Sequence, residues 1–206
     1  MESPEEADNF SRAQHSGSLG PAQVRTKLVD LSACEKLLDV GGGTGAFSMA
    51  LCRRYPKMTA TIVDFPNIRD IAERLMKEAG LADRVTYCQG DALTTEWPEG
   101  QDVILMSYLL SAMAEDNGRA LIKRAFRVLK PDGLLILHDF MIEEERTGPT
   151  AAALWLLAAV LMDPDAPGQT PRWLSQMVTD SGCAEIYVKD VIPTITKALI
   201  ARKPRV

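Results

Sequence analysis

The chain has 206 residues, of which 46% are hydrophobic and 25% are charged, and its formal net charge is −5 at pH 7. This length and apolar content predict a globular domain with a buried core and exclude a disordered protein. The acidic balance argues against a nucleic-acid binder that works through a broad basic face.

Signals for membrane insertion, secretion and cross-linking are missing from the sequence. The longest apolar stretch, residues 151–162, is shorter than the ~20 residues that a membrane span requires. The acidic N-terminus has no apolar run of the kind that signal peptides carry. No cysteines have C-x-x-C spacing, so neither a zinc site nor a disulfide framework is expected. We therefore expect a cytoplasmic chain with no membrane contact and no nucleic-acid partner.

The predicted elements alternate between helix and strand along most of the chain. Residues 1–18 are polar and predict a mobile start, and residues 21–29 are compatible with a short helix. Strands are predicted at residues 36–40, 59–63, 85–88, 103–106, 134–137, 185–188 and 195–201, and helices at 46–54, 67–79, 117–129, 150–161 and 171–179. The "KPDG" segment predicts a turn. This alternation predicts an α/β fold with a mainly parallel sheet, whose last two strands pair antiparallel.

A glycine-rich loop follows the first predicted strand, in the stretch "KLLDVGGGTGAFSMAL". Gly41, Gly43 and Ala46 satisfy the G-x-G-x-x-G/A fingerprint of loops that bind dinucleotides. Glycine has no Cβ, so a ligand can approach the backbone closely, and the N-terminus of the following helix offers free N–H groups. By itself the match is weak, since glycine turns also serve tight packing of a helix against a strand.

Three acidic residues stand at the ends of predicted strands. Asp39 lies at the end of the first strand, Asp64 follows the second, and Asp91, in "GDAL", follows the third. Parallel strands end at one edge of a sheet, where ligands of open α/β sheets bind and where a carboxylate can accept hydrogen bonds from ribose hydroxyls. A single acid there is more often a turn residue. Three acids at the ends of strands, together with a glycine loop, predict a cofactor site.

Five segments of the chain resemble one enzyme family. They are "LLDVGGGTGAFSMAL", "ATIVDFPNI", "RVTYCQGDAL", "RVLKPDGLLILHDF" and "GQTPRWLSQMVTDSG". Through them the chain is similar, over about residues 30–203, to the S-adenosylmethionine-dependent O-methyltransferases of the plant-type and acetylserotonin kind, a family with bacterial members in secondary metabolism. The resemblance implies the class I methyltransferase (Rossmann-like) fold, a mostly parallel seven-stranded sheet with helices on both faces. It implies that residues 31–206 form this domain and that residues 1–30 are a linker helix.

The resemblance also implies S-adenosylmethionine as the cofactor. The glycine loop would hold its methionine end, Asp64 its ribose hydroxyls, and Asp91 would border its adenine. Ser107 stands where the family has a cofactor-contacting Lys or Arg, so we expect that contact to be replaced. The full predicted cofactor set is Asp39, Gly41, Gly42, Gly43, Gly45, Asp64, Phe65, Gly90, Asp91, Ala92 and Ser107.

The catalytic positions of the family are mostly changed in this chain. The family's general base is a His in an "L-H-D-W" stretch, and "LLSAMAED" places Ser111 at that position. One of the two supporting acids corresponds to Asp139 and the other to Gly168. Serine at its normal pKa is no general base without help. His138 is a further catalytic candidate, although a lone His in an apolar strand is more often a core residue and points away from the face of its neighbour.

The helix predicted at residues 150–161 is the expected acceptor side. In the family this helix lines the acceptor pocket, which makes Trp155 and Met162 candidate substrate contacts. The alternative is an ordinary core stripe at helical spacing. No constellation of metal ligands occurs in the sequence, so no metal is expected.

The resulting prediction is methyl transfer to a small, largely apolar acceptor, aromatic or polyketide-like, on oxygen or carbon. Because Ser111 replaces the base, the transfer is expected to depend mainly on proximity. Two alternatives stay open: a cofactor-binding but inactive partner protein, and an NAD(P)-dependent oxidoreductase, for which the sequence lacks a Tyr-x-x-x-Lys site. Typical family members carry a helical dimerisation domain before this region. Three alternatives stay open: the sequence is a fragment, a homodimer or a separate partner takes the place of that domain, or the acceptor pocket is open.

Overall fold

The computed structural model describes residues 4–25, 28–162, 164 and 168–205. The strands are β1 (Lys36–Val40), β2 (Thr59–Asp64), β3 (Val85–Gln89), β4 (Gln101–Ser107), β5 (Leu129–Asp139), β6 (Ala184–Ile192) and β7 (Thr196–Arg202). The helices are α1 (Pro4–Arg25), α2 (Ala46–Arg54), α3 (Pro66–Glu78), α4 (Glu115–Val128), α5 (Thr150–Met162) and α6 (Pro171–Asp180), and a 3₁₀ turn covers Leu110–Ala112. Within the described part of the chain, none of these helices is long and apolar enough to cross a membrane.

The chain divides into two compact units, unit 1 (Met1–Trp97) and unit 2 (Pro98–Val206). In unit 1, β2 pairs in parallel with both β1 and β3. Four of the five residues of β1 are buried, which is the pattern of a parallel strand covered on both faces. Helix α3 begins at Pro66, because the missing N–H of proline costs nothing in the first turn of a helix. It buries Ala72 and Met76 and leaves its charged side in water.

In unit 2, β4 and β5 pair in parallel, and β7 runs antiparallel to both β5 and β6. The centre of this unit is the buried apolar pairing of Leu135 and Ile136 on β5 with Ala201 and Ile200 on β7. The antiparallel arrangement of the two closing strands confirms the prediction made from the sequence.

The strand order is β3-β2-β1 in unit 1 and β4-β5-β7-β6 in unit 2, so the described residues form seven strands. Strands β1 to β5 make the parallel pairings and β7 is reversed, so the predicted fold class is confirmed. In each unit the strands carry the predicted acids and polar residues to their carboxyl ends, which is where the candidate site residues lie.

Two local predictions differ from the structure. The residue pattern predicted a mobile start and a short helix at 21–29, whereas α1 runs from Pro4 to Arg25 with Pro21 in its interior. The "KPDG" turn lies inside β5, where Asp132 has a φ of 65°. Its N–H donates to the Lys203 carbonyl at 2.9 Å, so the segment after β7 holds it in line with the sheet.

Candidate functional site

The glycine loop connects β1 to α2 and has the backbone conformation that favours glycine. Gly41, Gly43 and Gly45 have φ values of 66°, 54° and 79°. A Cβ on Gly45 would stand 2.6 Å from Ile62 Cδ1, so this glycine serves the close packing of the loop on β2. A Cβ on Gly43 would meet nothing nearer than Asp64 Oδ2 at 4.0 Å. The loop therefore combines a packed end at Gly45 with an open backbone face at Gly43.

Asp39 supports this loop from inside the core. It is fully buried, and its Oδ2 accepts a 2.6 Å hydrogen bond from the Ser48 hydroxyl on α2. A Cβ on Gly42 would lie 2.7 Å from the Asp39 carboxyl carbon, so the loop backbone rests directly on this side chain. Its position fits a role in shaping the loop, with Gly42 fixed as glycine by the close approach.

Asp64 joins the glycine loop to the end of β2. Its Oδ2 accepts a hydrogen bond from the Gly43 N–H at 2.7 Å, and its Oδ1 accepts one from the Phe65 N–H at 2.7 Å. Burial raises the pKa of this carboxyl, and the two backbone N–H groups act in the opposite direction. Each carboxylate oxygen keeps a lone pair for a second donor such as a ribose hydroxyl. Beside it, the Phe65 ring is 56% exposed, an apolar surface available to a flat base.

The third strand end lies next to Asp64. The N–H of Gly90 donates to the Asp64 carbonyl at 2.8 Å, and a Cβ on Gly90 would stand only 2.0 Å from Thr95 Oγ1. Asp91 uses its Oδ1 to accept from the Leu93 N–H at 2.8 Å, which makes it the cap of a turn. Asp91 and Ala92 are half-buried. The structure thus brings the unit 1 members of the predicted cofactor set to one edge.

In unit 2, Ser111 and Asp139 form a buried hydrogen-bonded pair. The Ser111 hydroxyl donates to Asp139 Oδ1 at 2.7 Å, and the Ser111 N–H donates to Asp139 Oδ2 at 3.0 Å. The Phe140 N–H also donates to Oδ1, at 2.9 Å. Trp155 Nε1 on α5 donates to the Ser111 hydroxyl oxygen at 3.0 Å. Asp139 and Trp155, which are 28 and 44 positions away from Ser111 in the sequence, thus both contact its hydroxyl group.

The Asp139 carboxyl has a raised pKa. It is 2% exposed, and burial raises its pKa to about 6 in spite of the opposing hydrogen bonds from Ser111, Phe140 and Leu110. A carboxyl of this kind holds a proton in mildly acidic solution and loses it near neutral pH. Its oxygens accept hydrogen bonds from the Ser111 hydroxyl, the Ser111 N–H and the Phe140 N–H, so the carboxylate links the 3₁₀ turn to the end of β5.

His138 and Ser107 are placed together, away from Asp139. His138 is fully buried; its Nδ1 lies 3.3 Å from Ser107 Oγ and its Nε2 lies 3.0 Å from Thr196 Oγ1. Adjacent residues of β5 therefore make contacts with different groups, as the alternation of a strand requires. The geometry is that of a buried histidine whose two ring nitrogens both have hydroxyl partners.

An aromatic wall accompanies the Ser111 pair. The rings of Phe140 and Trp155 are stacked, with centroids 4.6 Å apart and planes 20° apart, and the Tyr108 ring lies 5.3 Å from that of Phe140. Helix α5 buries Ala152 and Leu156, so part of it is an ordinary core stripe. Trp155 packs against the same cluster and also donates its indole N–H to Ser111. Phe140 was missed in the sequence, where its only signal was its position next to Asp139 at the end of β5.

Two further predicted positions have a different outcome. Met162 is the last residue of α5, and its side chain lies outside the described residues. Gly168 has room for a side chain, with Ile142 Cδ1 3.7 Å from an added Cβ. The residue after it, Gln169, is fully buried, and among the residues that the structure describes neither its Oε1 nor its Nε2 has a hydrogen-bond partner. No sequence pattern marked Gln169. Among the described residues, no group of three potential ligands could hold a metal ion.

Comparison with known proteins identifies relatives of the chain. A family profile described as the O-methyltransferase domain matches residues 1–183. L-tyrosine C(3)-methyltransferase of Streptomyces lavendulae is 34% identical over 153 residues, which are 74% of this chain and 42% of that protein. Aclacinomycin 10-hydroxylase of Streptomyces purpurascens is 36% identical over 110 residues, which are 53% of this chain and 29% of that protein.

A solved structure shows the same fold. Human N-acetylserotonin methyltransferase, in complex with S-adenosylmethionine, superposes with a TM-score of 0.83 at 24% identity, over 98% of this chain and 57% of that one. The chain spans about half the length, or less, of the curated relatives that it matches.

Proposed function

The chain belongs to the O-methyltransferase domain family, and we propose that it provides the methyl-transfer domain of an S-adenosylmethionine-dependent enzyme. Its proposed acceptor is a small, flat, largely apolar molecule of aromatic or polyketide-like structure. The observation that carries the proposal is the double contact of Asp64, which holds Gly43 of the glycine loop while keeping lone pairs for ribose hydroxyls. A purely structural glycine turn needs no such acid.

The residues of unit 1 fit S-adenosylmethionine. The open backbone at Gly43 would hold the methionine end, Asp64 the ribose, and Phe65 with Asp91 and Ala92 the adenine. When bound, the cofactor supplies an electrophilic methyl group on a sulfonium ion. Asp39 would act indirectly on cofactor binding, because its carboxyl fixes the position of Gly42 in the loop.

The residues of unit 2 fit the acceptor side. Phe140 and Trp155 present stacked rings, and flat aromatic molecules favour such surfaces through offset stacking. The Trp155 N–H is bound to Ser111, which fixes the tilt of the indole. We propose that this wall, rather than a set of charged groups, orients the acceptor.

Ser111 is proposed to position groups rather than to remove a proton. Its hydroxyl hydrogen is directed to Asp139 and its oxygen already accepts from Trp155, and a serine hydroxyl at its normal pKa is no general base. Transfer then depends on proximity, which is worth several kcal/mol when reacting atoms are held in line. Acceptors that lose a proton easily, such as acidic phenols or enols, suit such a site on oxygen or on carbon. His138 and Ser107 stay outside this chemistry in our proposal, because they bind one another in the core.

The first test is titration calorimetry with S-adenosylmethionine, S-adenosylhomocysteine and NADPH. Micromolar binding of the two sulfur compounds, and none of NADPH, is the expected result. A panel of phenols and enols of graded acidity, assayed for transfer of a labelled methyl group, then follows. Activity that rises with acceptor acidity supports proximity-driven transfer. Binding of NADPH alone would refute the cofactor assignment.

A second candidate is a cofactor-binding protein that does not transfer methyl groups. The replacement of the family's base by Ser111 favours it, and so does a relative whose name is that of a hydroxylase. It predicts normal binding of S-adenosylmethionine with no methylated product from any acceptor. A methylated product whose formation is lost in Asp64→Ala would exclude it.

A further inference from the structure

A histidine of α1 reaches the glycine loop. His15 Nδ1 lies 2.8 Å from Thr44 Oγ1, and the two residues are 29 positions apart in the chain. Thr44 is the loop residue between Gly43 and Gly45, and it is 7% exposed. The sequence reasoning did not single out either side chain, and the proposed methyl transfer does not use them.

The contact is one between neutral partners at neutral pH. Burial lowers the pKa of His15, and the positive charge of Arg53 on α2 lowers it further. A neutral imidazole carries one ring nitrogen that donates and one that accepts, and a hydroxyl can do both. Either tautomer can therefore form the hydrogen bond with Thr44.

Helix α1 has little intrinsic tendency to form around this contact. Gly17 and Gly20 each follow His15 within two turns, and an added Cβ at either would meet nothing within 4 Å. Glycine is unfavourable in a helix by about 1 kcal/mol relative to alanine, and no close approach of another atom requires it here. Pro21 also removes a helical hydrogen bond. Contacts with the rest of unit 1, including that of His15, are therefore needed to hold α1 in place.

We propose that His15 is a positioning residue for the cofactor: it holds Thr44, and through it the backbone of residues 41–45, in the conformation that receives the methionine end. The proposal rests on the proposed function, because it assumes that this loop binds S-adenosylmethionine. Thr44 is adjacent to Gly43, whose N–H binds Asp64. The hydrogen bond from His15 thus holds Thr44, the residue that follows the contact between Gly43 and Asp64.

The test is the dissociation constant of S-adenosylhomocysteine, measured by calorimetry on single variants. His15→Ala and Thr44→Val are each expected to weaken binding about three- to tenfold, the loss of one neutral hydrogen bond. His15→Asn puts an amide atom where Nδ1 stands and is expected to restore binding to within about twofold, whereas His15→Gln places it beyond that position and is not. Thr44→Ser keeps the hydroxyl and is the conservative partner. Ser16→Ala, at an exposed position of the same helix, is the matched control.

A role in folding alone gives a different pattern. It would lower the melting temperature of His15→Ala while leaving the dissociation constant unchanged, and this result would overturn the proposal. A double variant, His15→Ala with Thr44→Val, is expected to bind no more weakly than the weaker single variant, since both remove the same bond. Additive losses would also contradict it. If the unsubstituted chain binds no S-adenosylhomocysteine, the cofactor assignment fails together with this proposal; normal binding with an unaffected His15→Ala refutes this proposal by itself.

Discussion

The substitution Ser111→Ala tests the centre of unit 2 without any knowledge of the acceptor. It removes a hydroxyl that donates to Asp139 Oδ1 at 2.7 Å and accepts from Trp155 Nε1 at 3.0 Å. The Ser111 N–H can still donate to Asp139, because the backbone bond does not depend on the side chain. The carboxyl therefore loses one of its donors, and the indole N–H loses an acceptor.

The expected loss of stability follows from these two bonds. A hydrogen bond to a charged group contributes about 1.5–3 kcal/mol and one between neutral groups about 0.5–1.5 kcal/mol. Since Ser111 is fully buried, water cannot replace either bond without opening the structure. We expect the free energy of unfolding to fall by about 2–4 kcal/mol at neutral pH.

The loss of stability in Ser111→Ala should depend on pH, because the hydroxyl that is removed donates to the ionisable carboxyl of Asp139. Burial raises the pKa of this carboxyl from 3.8 to about 6, so between these values the folded chain binds a proton that the unfolded chain has released. Stability therefore falls as pH rises through this window, by on the order of 3 kcal/mol. The Ser111 hydroxyl lowers the pKa of Asp139, so its removal raises that pKa further and extends the fall to higher pH. Asp139→Asn cannot ionise and is expected to lack this part of the profile.

The assay is urea unfolding at a series of pH values from 4 to 8, on the unsubstituted chain, Ser111→Ala, Asp139→Asn and the double variant. Methyl-transfer turnover with an acidic phenol is measured on the same samples, and Ser111→Ala is expected to retain it within about tenfold, since Ser111 removes no proton in our proposal. A stability loss below about 0.5 kcal/mol, or one that is the same at every pH, would refute the reasoning about the pair. Complete loss of turnover with unchanged cofactor binding would refute the positioning role.

Three other substitutions test the remaining parts of the structure. Asp64→Ala should weaken binding of S-adenosylmethionine by on the order of 100-fold in calorimetry, because two hydrogen bonds to a carboxylate are lost; binding within fivefold of normal would contradict the ribose assignment. Gly90→Ala should lower the free energy of unfolding by about 2–4 kcal/mol, since the φ of Gly90 is 150° and an added Cβ would stand 2.0 Å from Thr95 Oγ1. Adding Thr95→Ala should recover part of this loss, and an absence of recovery would rule out the clash as the cause. Gln169→Met should raise the free energy of unfolding by about 1–3 kcal/mol in urea, because it removes two buried polar atoms that have no partner in the described part of the chain; a loss of stability would show that the amide has a partner in solution.

The sequence by itself determined the order of the elements and the cofactor edge. The short apolar run before the glycine loop predicted β1, and the helical pattern after the loop predicted α2, both to the residue. The acids after the strands also followed from the sequence, since parallel strands carry their carboxyl ends to one edge whatever the packing. For α1 the residue pattern predicted only a short helix at 21–29, whereas the resemblance implied a linker helix over residues 1–30. The interior "KPDG" turn was missed as part of β5, because its pairing depends on residues some seventy positions away.

Only the tertiary structure decided what the side chains at those strand ends do. Ser111, Asp139 and Trp155 come together from a turn, a strand and a helix, and no local pattern encodes their distances. His138 was a candidate base in the sequence, but the fold surrounds it with two hydroxyl groups. The physical reason is that secondary structure follows from neighbours along the chain, whereas hydrogen-bond partners and burial depend on which surfaces pack together. The contact of His15 with the glycine loop also depends on tertiary packing, since it exists only because α1 packs against the rest of unit 1.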